Sequence, residues 1–158
     1  MTATPVNLKD RFFEDYREGE QFEFGDYLVT EEEIIEFATR FDPQPFHIDK
    51  EAAAETIFGG LIASGWMTAS IGMRIFVDNF ISVKSSMGSP GVDELRFVQP
   101  VRAGDRLRLR LSIMSTRKSQ SKPDRGLLQF FEEILNQNNE VVLSLKGWVM
   151  NKTKEGIQ

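Results

Sequence analysis

Residues 58–80 read FGGLIASGWMTASIGMRIFVDNF, and the fold depends on how that run is assigned. Gly59, Gly60 and Gly65 interrupt it at its start, as chain-breaking glycines do. From about Trp66 to Phe80 the residues are small or apolar on nearly every side: Met67, Ala69, Ser70, Ile71, Gly72, Ile75 and Phe76. A helix that is apolar nearly all round is a buried helix. Ser64, Thr68, Arg74 and Asp78 interrupt the run too often for a membrane span. The stretch is therefore expected to be the central helix of a globular domain.

Downstream the sequence reads as strands. Asp93–Val98 is a candidate, ended by Gln99-Pro100, and VRAGD (101–105) is a turn. From Arg106 to Ile113 the alternation RLRLRLSI is strict, so Leu107, Leu109, Leu111 and Ile113 share one face. After a polar loop over Lys118–Arg125, Leu127–Asn136 and Val141–Met150 form a pair joined by QNNE, a hairpin pattern. Residues 151–158 read as a polar tail that frays.

Upstream, residues 1–20 read as a surface-hugging lead-in with scattered aromatics. Gln21–Val29 alternates like a strand, with a bend at Gly25. Thr30 followed by Glu33 has the spacing of a helix capping box, and Glu31, Glu32 and Glu33 suit the positive end of the helix dipole. Ile34, Phe37, Ala38 and Phe41 give that helix one apolar stripe. It must stop near Phe41 or Asp42, because a proline disfavours helical backbone in the residue before it, and Pro43 and Pro45 both follow. The stretch from Arg40 to Lys50 is thus expected to be a stiff non-helical segment hung from the end of that helix, with Asp49 capping a second short helix over Lys50–Thr56. One long helix and several antiparallel strands imply an α+β domain, a curved sheet wrapped round the helix. At 158 residues one domain, 1–158 with peripheral tails at 1–20 and 151–158, is the simplest division.

Totals remove several functional classes. The formal net charge of -5 disfavours a phosphate-neutralising surface for nucleic acid. Zero cysteines exclude disulfides, thiolate metal sites and cysteine nucleophiles, and one histidine excludes a histidine-rich metal site within one chain. No apolar leader follows a basic start, and the lack of cysteine fits a reducing compartment, so a cytoplasmic location with no membrane partner is expected.

The chemistry-bearing candidates lie in RFDPQPFHIDK, residues 40–50. A lone histidine is by default a surface or satisfied polar residue. Three features argue otherwise here. Pro43 and Pro45 stiffen the segment, which suits groups that must be held still. Asp42 and His47, a carboxylate and an imidazole, are suited to moving protons near neutral pH. The start of the helix after GGLIASG offers free backbone N–H groups and a positive dipole end for a developing oxyanion.

FDPQPFHID followed by GGLIASGWMTAS resembles the MaoC-like dehydratases, or (R)-specific enoyl-CoA hydratases, of the hot-dog fold. Asp42, Pro45 and His47 fall at the spacing of the family's D-x-N-P-x-H motif, with Gln44 in place of Asn. VRAGDRLRLRLSI is similar to the family's later strand start. The resemblance covers about residues 20–150. It implies a hydro-lyase in which Asp42 and His47 bind and activate the water exchanged with a trans-2-enoyl thioester. The Gly65 N–H would hold the thioester carbonyl. It implies an acyl-CoA or acyl-carrier thioester as substrate, no metal or redox cofactor, and a homodimer or higher homo-oligomer.

Departures from the family are specific. Ser64 stands where many members have His, and is a candidate either to orient a ligand or to cap the helix. Met73 stands where some hydratases carry a helical serine; Ser70 is the nearest hydroxyl, with helix packing as its alternative. Gln44, a substrate-binding candidate, offers the amide of Asn one methylene further out. Trp66 is a candidate for the acyl pocket, with a core role as the alternative. Arg117, Lys118, Lys122 and Arg125 form a basic loop that could meet coenzyme A phosphates, and Arg106, Arg108 and Arg110 share the outer face of one strand. Two other functions fit the same fold: an acyl-CoA thioesterase, and a non-catalytic acyl-thioester-binding subunit.

Overall fold

The structure, a computed structural model, describes residues 6–156. Strand β1 spans Gln21–Leu28, and its register against its neighbour shifts between Phe24 and Tyr27. Gly25 sits in that bend at φ +88, and a Cβ there would fall 2.9 Å from Ile75 Cγ2, so both the backbone and the close approach require glycine. Helix α1 spans Glu31–Phe41, and Thr30 accepts the Glu33 N–H at 3.3 Å as the capping spacing predicts. Short helices α2 (Pro45–Ile48) and α3 (Lys50–Ala54) follow, the second capped by Asp49.

Helix α4 spans Gly65–Asn79. Four more strands complete the chain: β2 (Gly91–Phe97), β3 (Arg106–Lys118), β4 (Arg125–Leu135) and β5 (Val141–Lys152). They form one five-stranded sheet in the order β1-β3-β4-β5-β2, with every neighbouring pair antiparallel. Leu107, Leu109, Leu111 and Ile113 are all buried on the inner face, as the strict alternation requires. They meet Met67, Ile71, Ile75 and Phe76 of α4 in the single apolar core. A sheet packed around one central helix is the α+β hot-dog arrangement.

Three expectations need correction. Helix α4 is not buried all round. Met67, Thr68, Ile71, Gly72, Ile75 and Phe76 face the sheet, while Trp66, Met73, Arg74 and Val77 are exposed. One layer of strands covers one side of a helix and leaves the other open. The segment after Asp42 is not wholly non-helical either. Pro45 occupies the first position of α2, where its missing N–H costs nothing and its fixed φ suits a helix start. The terminal segments are not merely peripheral. Tyr16 is buried against Phe80 at 5.6 Å, and Arg11 is buried in an ion pair with Glu20. At the other end Asn151 and Thr153 are buried, with Asn151 Nδ2 donating to Ser85 Oγ at 2.7 Å. The rings of Tyr16 and Phe22 both pack against Phe80, and β5 continues two residues past Met150. Residues 1–5 and 157–158 of those tails lie outside the described residues. Among the described residues no helix is long and apolar enough to cross a membrane.

Candidate active site

The site is assembled from two helix ends and one loop. Asp42 is the residue that closes α1. Its N–H still reaches the Ala38 carbonyl at 2.8 Å, but its ψ of 64 has left the helix, as Pro43 demands. The chain turns at Gln44, whose N–H donates to the Asp42 carbonyl at 2.8 Å. Pro45 then restarts a helical turn and His47 points back. The result sets His47 Nε2 3.2 Å from Asp42 Oδ2.

The tautomer of His47 follows from its other nitrogen. Nδ1 lies 2.7 Å from the Ile62 carbonyl oxygen, which can only accept. Nδ1 therefore carries a proton, and Nε2 of the neutral ring is the nitrogen that can accept. In the neutral ring Nε2 and Asp42 Oδ2 are both acceptors, placed side by side. A hydroxyl-bearing molecule, water above all, satisfies both by donating to each. His47 is 5% exposed and lines a cleft, while the Asp42 side chain is 19% exposed.

Asp42 is held from two further directions. Gln44 Nε2 donates to Oδ1 at 2.7 Å and Ser64 Oγ donates to Oδ2 at 2.8 Å. The Gln44 hydrogen bond pulls the Asp42 carboxyl below the usual aspartate value. Partial burial works against this, and Ser64 and His47 add to the lowering.

The cleft beside His47 has a volume of about 240 Å³. Its walls include Phe58, Gly65, Thr68, Phe97 and Val142. Gly65 is the first residue of α4, so its N–H has no partner within the helix. A Cβ on Gly65 would lie 2.5 Å from the Phe97 ring, so glycine lets that ring close over the helix start. A second hollow, about 280 Å³, lies between α1 and α4 around Phe37, Phe41, Met67 and Ile71.

The candidates read from the sequence divide clearly. Asp42, His47, Ser64 and Gly65 meet in one place. Gln44 and Ser64 both reach Asp42, and neither lines the cleft. Ser64 makes no side-chain cap bond to α4. Trp66 lies outside the cleft, 59% exposed, edge-on to Phe97 at 5.6 Å. Met73 is exposed, and Ser70 returns its hydroxyl to the Trp66 carbonyl at 2.8 Å. The basic loop lies at the C-terminal end of β3, and none of its residues lines the cleft. There Arg117 covers the Trp148 ring and Arg125 pairs with Asp124. Arg106 and Arg110 are matched by Asp26 and Glu133. Sequence reading overlooked Thr68 and the Ile62 carbonyl. The hydroxyl one turn beyond Gly65 was a usable signal for Thr68, whereas nothing in a sequence marks a backbone carbonyl.

Comparison with known proteins identifies the family. A family model described as a MaoC like domain matches residues 15–126. Protein MaoC of Klebsiella aerogenes is 33% identical over 103 residues, 65% of this chain and 30% of that protein, so the chain spans less than a third of this relative. An (R)-specific enoyl-CoA hydratase of Rhodospirillum rubrum is 30% identical over 111 residues, 66% of this chain and 69% of the relative. The solved structure of a MaoC-like dehydratase from Rhodospirillum rubrum matches with a TM-score of 0.85 at 38% identity, covering 91% of this chain and 98% of that one.

Proposed function

The chain belongs to the MaoC-like domain family, and we propose that it is a hydro-lyase that adds water to, or removes it from, a short-chain trans-2-enoyl thioester. The observation that carries the reading is the 3.2 Å approach of His47 Nε2 to Asp42 Oδ2, with Nδ1 fixed on the Ile62 carbonyl beside the start of α4.

In the hydration direction a water donates one hydrogen bond to His47 Nε2 and one to Asp42. Nε2 takes a proton as the water oxygen bonds to C3. The C2–C3 π electrons move toward the thioester, giving an enolate oxygen opposite the Gly65 N–H. The imidazolium, stabilised by Asp42, then returns the proton to C2, and the enolate electrons reform the carbonyl. Water is consumed, both catalytic groups are restored, and no redox change occurs. Dehydration is the reverse. A preorganised oxyanion donor contributes about 3–4 kcal/mol to such a barrier.

The cleft volume of about 240 Å³ supports a short acyl group, since sites for larger ligands usually exceed roughly 300 Å³. The thioester carrier is coenzyme A or an acyl carrier protein. A homodimer is part of the proposal. Trp66, Met73 and Val77 of α4 and Val92, Phe97 and Val98 at the edge strand β2 expose apolar surface that a second copy would cover. The thioesterase reading is less well supported, because the one acid on α4, Asp78, is paired with Arg74 at the end of the helix distant from Gly65.

The test follows the enoyl-thioester absorbance of crotonyl-CoA while free thiol is assayed in parallel. The expected result is loss of the enoyl band without thiol release, abolished in Asp42→Asn and His47→Gln. Thiol release would establish hydrolysis instead. Enoyl loss undiminished in both variants would remove the pair from the reaction.

A further inference from the structure

Ser64 and Gln44 do not line the cleft, yet each directs its side-chain donor to the same carboxylate. The serine hydroxyl is fully buried. It stands at the N-cap of α4, where a serine ordinarily accepts an N–H from the first helical turn. Here it makes no such bond and donates to Asp42 Oδ2 at 2.8 Å instead. Gln44 is exposed and had solvent available, but its Nε2 lies 2.7 Å from Asp42 Oδ1. Each carboxylate oxygen thus has one neighbour that donates, Gln44 on Oδ1 and Ser64 on Oδ2.

Resting on the hydro-lyase reading, we infer that Ser64 and Gln44 are positioning residues that clamp Asp42 as a fixed hydrogen-bond acceptor, one donor on each oxygen. The clamp does two things. It stops the carboxylate from rotating away from the water shared with His47. It also opposes protonation of Asp42, because a protonated carboxyl would turn a donor toward Ser64 or Gln44, which already donate. The Ser64 hydroxyl, turned away from α4, leaves the first-turn N–H groups of that helix to the substrate carbonyl. The dyad and the oxyanion end of α4 are thereby tied through a single side chain. The direction of the Asp42 shift agrees, with the Gln44 bond its largest cause.

The experiment is a carboxyl-carbon NMR titration of aspartate-labelled protein, with Asp42 identified by the signal missing from Asp42→Asn. It is run on the wild type, Ser64→Ala and Gln44→Ala. Gln44 is exposed, so its variant keeps the test valid if loss of Ser64 impairs folding. Each variant is expected to raise the Asp42 midpoint by about one pH unit, the size of one charge-assisted hydrogen bond. The kcat for crotonyl-CoA is expected to fall about tenfold in each variant with KM changed less than about twofold, the pattern for a contact that acts on the chemical step. An unmoved Asp42 midpoint in the variants overturns the clamp, as does a kcat that stays put while the midpoint rises. If the wild type leaves crotonyl-CoA untouched, the hydro-lyase reading fails, and the NMR titration alone then decides whether the clamp exists.

Discussion

Replacing Glu132 by glutamine is expected to stabilise this protein at neutral pH and to leave its stability unchanged in acid. Glu132 lies on β4, on the inner face of the sheet, between Leu111 of β3 and Leu145 of β5. It is 5% exposed, and its Oε2 has no hydrogen-bond partner among the described residues. Above it Gly72 of α4 comes so close that a Cβ there would sit 3.8 Å from Oε1. Burial raises the carboxyl from 4.5 to about 7. The difference of about 2.5 units corresponds to about 3 kcal/mol at 1.36 kcal/mol per unit.

The sign follows from proton uptake. Below pH 4.5 both folded and unfolded chains hold the proton, and no penalty exists. Between pH 4.5 and about 7 the unfolded chain has lost it while the folded chain keeps it, so stability falls as pH rises, by about 1.4 kcal/mol per unit. Above about 7 both are ionised and the penalty stays constant. Glutamine does not titrate. The advantage of Glu132→Gln over the wild type should therefore grow from near zero at pH 4 to about 3 kcal/mol at pH 8. Urea unfolding at fixed protein concentration, followed by fluorescence of Trp66 and Trp148, measures it at each pH. In thermal melts the gain at pH 8 is roughly 6–12 °C for a chain of this length. A difference between the two proteins that does not vary with pH would refute the reasoning, because Glu132 would then be ionised in the core at no cost.

Other perturbations have equally definite outcomes. His47→Gln is expected to lower kcat on crotonyl-CoA by about 10²–10⁴-fold with little change in KM, the usual loss for a general acid–base group, read from initial rates. Gly65→Ala places a methyl 2.5 Å from the Phe97 ring; it should cost about 1–3 kcal/mol of stability, as overpacking does, and Phe97→Ala in the same chain should recover most of that in a denaturant titration. Met73→Arg puts a charge on the open face of α4 and should shift a dimer toward monomer in sedimentation velocity, with the monomer retaining its helical circular dichroism.

Periodicity made most of this fold legible. The alternation of β3 fixed its inner face residue by residue, and the capping pair Thr30–Glu33 located the start of α1 within one position. The open face of α4 escaped because Trp66, Met73 and Val77 are apolar like the buried face, and apolarity alone does not say how many layers surround a helix. The buried N-terminal segment escaped because its polar residues are satisfied locally. Arg11 carries a cation into the interior only by pairing with Glu20 and lying over the Tyr16 and Phe22 rings. In the site, Asp42 and His47 were visible as a spaced pair. What Ser64 and Gln44 do was not, since their donors are directed by a turn whose geometry no residue spells out.

That turn is where sequence becomes chemistry. Asp42 and His47 are five residues apart, a spacing that on a continuous helix would point the two side chains in divergent directions at about 100° per residue. Two prolines prevent the continuous helix. Pro43 forces Asp42 out of α1 while the Ala38 carbonyl still holds its N–H, and Pro45 begins α2 with a φ already suited to it. Between them Gln44 reverses the chain and uses its side chain on the aspartate it has just left. The His47 ring is then locked from the far side by the Ile62 carbonyl, on a loop whose own Ile62 N–H returns to Phe46 at 3.1 Å. Each constraint on the pair therefore comes from a residue within five positions of it or from the six residues that precede α4. The placement of Asp42 and His47 beside the start of α4 is thus set by a few short hydrogen bonds made within these two segments.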